Sequence, residues 1–180
     1  NWETLSAALE QAAGQSLPLV SAETLNREER INAGWAFNAM GNSYLDIGKA
    51  DVARSYFERA LAIGKTEGQD TLQSAALGNL GMAYADLGDA RSAIGFYEQS
   101  LAIDREISDR SGEGIDLGNL GSAYADLGDA RRAIEFFEQS LAIDREIGDR
   151  RGEGNALCNL GNAYAQLGYV RRAIGFYEQS

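Results

Sequence analysis

Histidine is absent from the 180 residues, cysteine and proline occur once each, and acidic side chains outnumber basic ones 27 to 16. Without histidine there is no Ser-His-Asp or Cys-His nucleophile, no HExxH zinc site and no two-histidine facial triad. Cys158 alone cannot close an internal disulfide or build a thiolate metal cage. A formal net charge of -11 argues against phosphate-backbone binding, which uses clustered Lys and Arg. No apolar run approaches the roughly 18 residues that span a bilayer. No basic stretch followed by an apolar segment opens the chain, so no signal peptide is visible. These absences set expectations: no catalysis, no cofactor or metal, no nucleic acid or membrane as partner, and a cytoplasmic location. The chain opens on Asn1 rather than Met, which reads as a piece of a longer protein.

Glycine, by contrast, is abundant, at 21 residues, and it is regularly spaced. Residues 79–107 (NLGMAYADLGDARSAIGFYEQSLAIDREI) and 119–147 (NLGSAYADLGDARRAIEFFEQSLAIDREI) differ at four positions. A third copy begins at Asn159 and stops at Ser180; a more divergent one lies a period earlier. Gly41, Gly81, Gly121 and Gly161 fix the period at 40, as do Tyr44, Tyr84, Tyr124 and Tyr164. Each unit reads as two helices. Leu77, Leu80, Gly81, Tyr84 and Leu87 recur at helical steps, which predicts a first helix over roughly Ala75–Leu87. Gly88 can take the left-handed conformation that stops it, and Asp89 can cap the next helix. Ala90, Ala93, Ile94, Tyr97, Leu101 and Ile103 mark that second helix, ending near Ile107. Ser108–Gly114 reads as the loop to the next unit. Neither helix can bury its apolar face alone, so neighbouring units must stack. Gly81 and Ala93 let the two helices approach, and Tyr84, Tyr124 and Tyr164 are expected in the core.

Other candidate chemistry reads as structural. Gly64-Lys65-Thr66 resembles the end of a phosphate-binding loop, but Arg59 stands where the motif needs its first glycine, so a helix end is expected. Asp86, Asp89, Asp126, Asp129, Glu98 and Glu138 recur with identical neighbours, which favours caps and solvated faces over a unique catalytic pair. Arg91, Arg131, Arg132, Arg171 and Arg172 are expected to pair with acids of adjacent units. Cys158 replaces Gly78 and Gly118 and is expected as a small apolar filler.

Leu77, Gly81, Tyr84, Gly88, Ala93 and Tyr97, with their counterparts one period away, resemble the tetratricopeptide repeat consensus over roughly residues 30–180. The period of 40 instead of 34, and the missing terminal proline, resemble the long repeats of Pins-type adaptors and kinesin light chains. Gly152–Gly168, GEGNALCNLGNAYAQLG, carries that likeness most fully. It implies an all-α solenoid of antiparallel helix pairs in a right-handed superhelix, with first helices lining a concave groove that binds an extended peptide. In those families an asparagine ladder grips the peptide backbone. Asn79, Asn119 and Asn159 match it, while Ala39 departs in the first unit. An amide suits the task because it donates and accepts. The alternative is that each amide bonds a neighbouring helix or loop. Asn42, Met82, Ser122 and Asn162 lie one turn further on, and Asp86 and Asp126 near the helix ends would favour a basic or neutral peptide. A helical cap over residues 1–27 and about four repeats over 28–180, the last incomplete, are the expected domains. The cap's Trp2, Leu5, Leu9 and Ala12 resemble the lead-in to repeats in bacterial STAND-class NTPase regulators, so the second functional reading is a structural or sensor arm of such a regulator. An incomplete last unit implies end-to-end self-association.

Overall fold

The computed structural model describes residues 25–180, so the proposed cap lies, but for its last three residues, outside the described part. Eight helices follow one another in the described residues: α1 (Arg27–Asp46), α2 (Ala50–Glu67), α3 (Asp70–Asp86), α4 (Ala90–Ile107), α5 (Arg110–Asp126), α6 (Ala130–Ile147), α7 (Arg150–Gln166) and α8 (Val170–Tyr177). Each packs on the next, forming four antiparallel pairs that stack in register. The first helices α1, α3, α5 and α7 also touch one another in sequence, which places them on the inner side of the stack.

Sequence explains the pairing. A Cβ at Gly81 would lie 2.4 Å from the Tyr97 ring, and one at Gly121 would lie 2.5 Å from the Phe137 ring. Gly41 against Phe57 and Gly161 against Tyr177 repeat the same contact. An aromatic of each second helix therefore lies on the bare backbone of its own first helix. Ala53, Ala93 and Ala133, fully buried, keep the other side of that contact thin. Leu80, Leu120 and Leu160 fill the seam to the preceding pair. Tyr84, Tyr124 and Tyr164 are half-buried and stack on Phe96, Phe136 and Phe176 with ring centroids 5.0–5.3 Å apart. They flank the core clusters instead of filling them.

The turn within each pair ends as expected. Gly88 sits at φ 80°, and the Asp89 N–H reaches back to the Tyr84 carbonyl at 2.9 Å, the bond that closes a left-handed helix cap. Asp89 and Asp129 cap α4 and α6 through the N–H groups of Ser92 and Arg132.

The connection between pairs is shorter than expected. In place of a loop over Ser108–Gly114, α5 starts at Arg110, leaving Ser108 and Asp109 as the link. Asp109 caps α5 by accepting from Gly112 N–H at 2.9 Å. Gly112 and Gly114 are helical because neighbours crowd them: a Cβ at Gly112 would meet the Asp104 carboxylate at 2.4 Å, and one at Gly114 would meet Ile143 at 3.1 Å. These glycines mark close approach, not a turn. The GKT segment is the end of α2, as expected: Thr66 Oγ donates to the Ala62 carbonyl at 2.9 Å.

Ion pairs between units come from residues other than the arginines that open the second helices. Arg105 binds Glu113 and Arg145 binds Glu153 from one pair to the next, whereas Arg30–Glu67 and Arg110–Glu146 join the two helices of one pair, and Arg110–Glu113 and Arg150–Glu153 lie within one helix. Arg132 instead pairs with Asp129, the cap of its own helix, at 3.5 Å, and it lies over the Tyr124 ring, as Arg172 lies over Tyr164. No helix among the described residues is long and apolar enough to cross a membrane.

Candidate functional site

On a helix, residues at steps of four, three and four share one face. On α5 that rule aligns Ile115, Asn119, Ser122 and Asp126; on α7 it aligns Asn155, Asn159, Asn162 and Gln166. Two cavities lie along the seam between these faces. One, of about 390 Å³, is lined by Ile115, Asn119, Ser122, Asn155 and Asn159, with Asp144, Asp149 and Arg151 at its sides. The next, of about 360 Å³, holds Ser122, Asp126, Asn159, Asn162 and Gln166. Phe137 underlies both. The result is an open trough with an apolar floor and a polar rim.

Asn119 and Asn159 are half-buried, and neither amide has a hydrogen-bond partner among the described residues. An amide group pre-placed in a trough, with its donor and acceptor unspent, can bond a peptide backbone on both sides. Asn79 differs. Its Nδ2 donates to Asn38 Oδ1 at 3.0 Å, tying α3 to α1. Asn38 is buried and stands one residue before Ala39, so the first unit has an asparagine after all, in the position that Gly78, Gly118 and Cys158 occupy later.

Among the second-row residues, Ser122 and Asn162 face the α5–α7 trough. Ser122 Oγ donates to its own helix at the Gly118 carbonyl, and Asn162 Oδ1 accepts from the Tyr177 hydroxyl at 2.8 Å. Asn42 and Met82 are exposed on α1 and α3. The two aspartates separate. Asp126 lies in the trough, whereas Asp86 borders a cleft of about 460 Å³ beside the α1–α2 turn, with Lys49, Asp51 and Val52.

A row one turn earlier escaped the sequence reading: Trp35, Ile115 and Asn155. Trp35 and Ile115 are exposed, 41% and 61%, and Ile115 borders the first of the two cavities. Stepping back four residues from Ala39, Asn119 and Asn159 would have found them. Cys158 is exposed and not packed, since no described residue covers that side of α7. Among the described residues no cluster of three or more metal-ligating side chains is present.

A tetratricopeptide repeat family model matches residues 32–106 and 115–180. No curated protein matches the chain in sequence. Solved structures do match in fold. BtubC (BKLC) from P. vanneervenii superposes with a TM-score of 0.79 at 22% identity, over 88% of this chain and 65% of that one. A Rap protein complexed with competence and sporulation factor gives 0.79 at 18% identity, over 84% and 43%. A Signal Transduction ATPase with Numerous Domains (STAND) protein with a tetratricopeptide repeat sensor, from Pyrococcus horikoshii, gives 0.76 at 17% identity, over 87% and 24%. The chain therefore spans less than two thirds of the length of each of these three.

Proposed function

The chain belongs to the tetratricopeptide repeat family, and from that premise we propose that it binds an extended peptide, or an extended segment of a partner protein, along its inner face, without catalysis. The observation that carries this reading is the α5–α7 trough, where the amides of Asn119 and Asn159 stand half-buried without a hydrogen-bond partner among the described residues. Their 40-residue spacing sets the two amides one unit apart, as the long-repeat resemblance implies. Ile115 supplies an apolar contact beside them. Asp126, Asp144 and Asp149 outnumber Arg151 in the trough, which supports a basic or neutral ligand whose affinity falls with salt.

The test uses peptides selected from a random library on the unmodified chain. Asn119→Ala with Asn159→Ala removes two bonds made only in the complex, each worth about 0.5–1.5 kcal/mol, so affinity should fall roughly 5- to 150-fold. The melting temperature should stay within a degree or so, because both amides are free beforehand. Asn79→Ala should do the opposite. It leaves the buried Asn38 oxygen without its donor, at a cost of about 1–3 kcal/mol of stability. Equal binding by the double variant and the parent, measured by calorimetry, would reject the asparagine grip.

A second reading draws on the likeness to the STAND sensor: the solenoid is a sensor arm of a larger NTPase regulator. The trough would then be the sensing surface, or the inner face would bind nothing. Absence of any selected peptide from the library would favour that arm.

A further inference from the structure

One junction of the stack differs chemically from the others. Between the second and third helix pairs, Ser74 of α3, Ser100 and Asp104 of α4, and Asp116 of α5 are all buried. The two carboxyls are 2% and 4% exposed. Ser74 Oγ donates to Asp104 Oδ1, and Ser100 Oγ donates to the Ser74 carbonyl at 3.0 Å. Asp116 Oδ2 has no partner among the described residues. One period earlier the same four places hold Gly34, Ala60, Gly64 and Ala76; one period later they hold Gly114, Ser140, Asp144 and Ala156. Three successive junctions thus carry no acid, two acids and one.

Two buried carboxylates side by side cannot both be charged at low cost; one proton held between them removes the conflict. The groups around the pair do not supply a counter-charge. Asp109, the cap of α5, bears on both acids, and Glu113 of α5 bears on Asp104, each negative. From α4, Tyr97 faces Asp116 with a phenol that burial and Asp116 keep neutral. Arg105 and Arg110 lie close by, but Glu113 and Glu146 occupy their guanidinium groups. On the α6 side, Asp144 approaches Gly114 and adds no cation.

We propose that Asp104 and Asp116 form a proton-operated latch that holds α3, α4 and α5 together while the pair keeps one proton and loosens that junction when both acids ionise. Because α3 and α5 form part of the inner face, the latch sets the spacing of the groove on the N-terminal side of the α5–α7 trough. Burial first, and then the Asp104 charge, push Asp116 up to about 7; burial also raises Asp104. A folded-state pKa above its unfolded value means that protonation stabilises the fold fully below about pH 4, and that this contribution is lost as pH rises through about 7. Acids that ion pairs or caps hold low, among them Glu67, Asp89 and Glu153, act oppositely: they cost stability only as pH falls toward 4 and below.

The test compares the unmodified chain with Asp116→Asn and Asp116→Ala between pH 5.5 and pH 8. Asn keeps the shape and cannot ionise; Ala already stands at the equivalent Ala76 and Ala156. The parent should lose about 5 °C of melting temperature, relative to either variant, over that range. Amide hydrogen exchange, corrected for its intrinsic pH dependence, should accelerate in α3 and α5 of the parent alone. Asp144 is common to all three proteins and cancels. Parallel melting curves for parent and variants would overturn the latch. So would a calcium-dependent rise at pH 8 in the parent only, since a metal ion would then occupy the place of the proton.

Discussion

Phe137→Ala should lower stability by about 3–5 kcal/mol, the usual range for emptying an aromatic site in a packed core. Phe137 is 3% exposed and touches residues of three helices, α5, α6 and α7. Its ring lies on Gly121 and beside Ala133, Leu141, Ala156 and Leu160. The void cannot collapse easily, because Gly121 has no side chain and Ala133 only a methyl to move into it. At about 2–4 °C per kcal/mol for a chain of this size, the melting temperature should drop roughly 10 °C. Phe136, its neighbour, offers the contrast. It is half-buried and stacks on Tyr124 at the surface of the core, so its truncation should cost less than half as much. Comparable melting temperatures for the two variants would mean that the aromatic-on-glycine contact is not what couples the helices. Because both trough cavities rest on Phe137, peptide binding should weaken in Phe137→Ala as well.

Gly121→Val probes the same contact from the other side. Its Cβ would stand 2.5 Å from Phe137 Cε1 and 2.6 Å from Cδ1, closer than atoms can approach. The ring has nowhere to retreat, so overpacking should cost about 1–3 kcal/mol, despite glycine being a poor helix former. Gly154→Ala is the matched control in the next first helix. Nothing lies within 4 Å of the added methyl, so better helix propensity should raise stability by about 0.5–1 kcal/mol. Opposite signs at two helical glycines, read from denaturant midpoints, separate close approach from propensity. Two changes of the same sign would contradict the packing account.

Periodicity made the architecture legible. The recurrence every 40 residues of Gly81, of Gly88 and of an aromatic at the Tyr97 place identifies two helices, their contact and the turn between them, all of which the structure bears out. The link between pairs was misread because Gly112 and Gly114 look like loop residues. Their reason is tertiary: Asp104 and Ile143 press on them from neighbouring helices, and no local pattern records that. The arginines at the second helices were misassigned for a related reason. The repeat text places Arg132 beside many acids, but only the fold shows that Asp129 and the Tyr124 ring are its neighbours. The asparagines were visible as a row, yet their inequivalence was not. Asn79 meets Asn38 because the first unit shifts its asparagine by one residue, whereas Asn119 and Asn159 have no hydrogen-bond partner among the described residues. The buried acids went unremarked although the signal was present. Asp116 breaks a column otherwise made of Ala76 and Ala156, and a charge in a column of small apolar residues marks either a partner or a titration.

The central claim is that a peptide lies against the α5–α7 trough and is held by Asn119 and Asn159. Side-chain amide resonances report this directly. Titrating a library-selected peptide into the 180-residue chain should shift the Nδ2 proton signals of Asn119 and Asn159, and protect them from exchange with water, while those of Asn38 and Asn79 stay in place. Shifts confined to the outer helices α4 and α6, with the Asn119 and Asn159 signals unmoved at saturation, would contradict it.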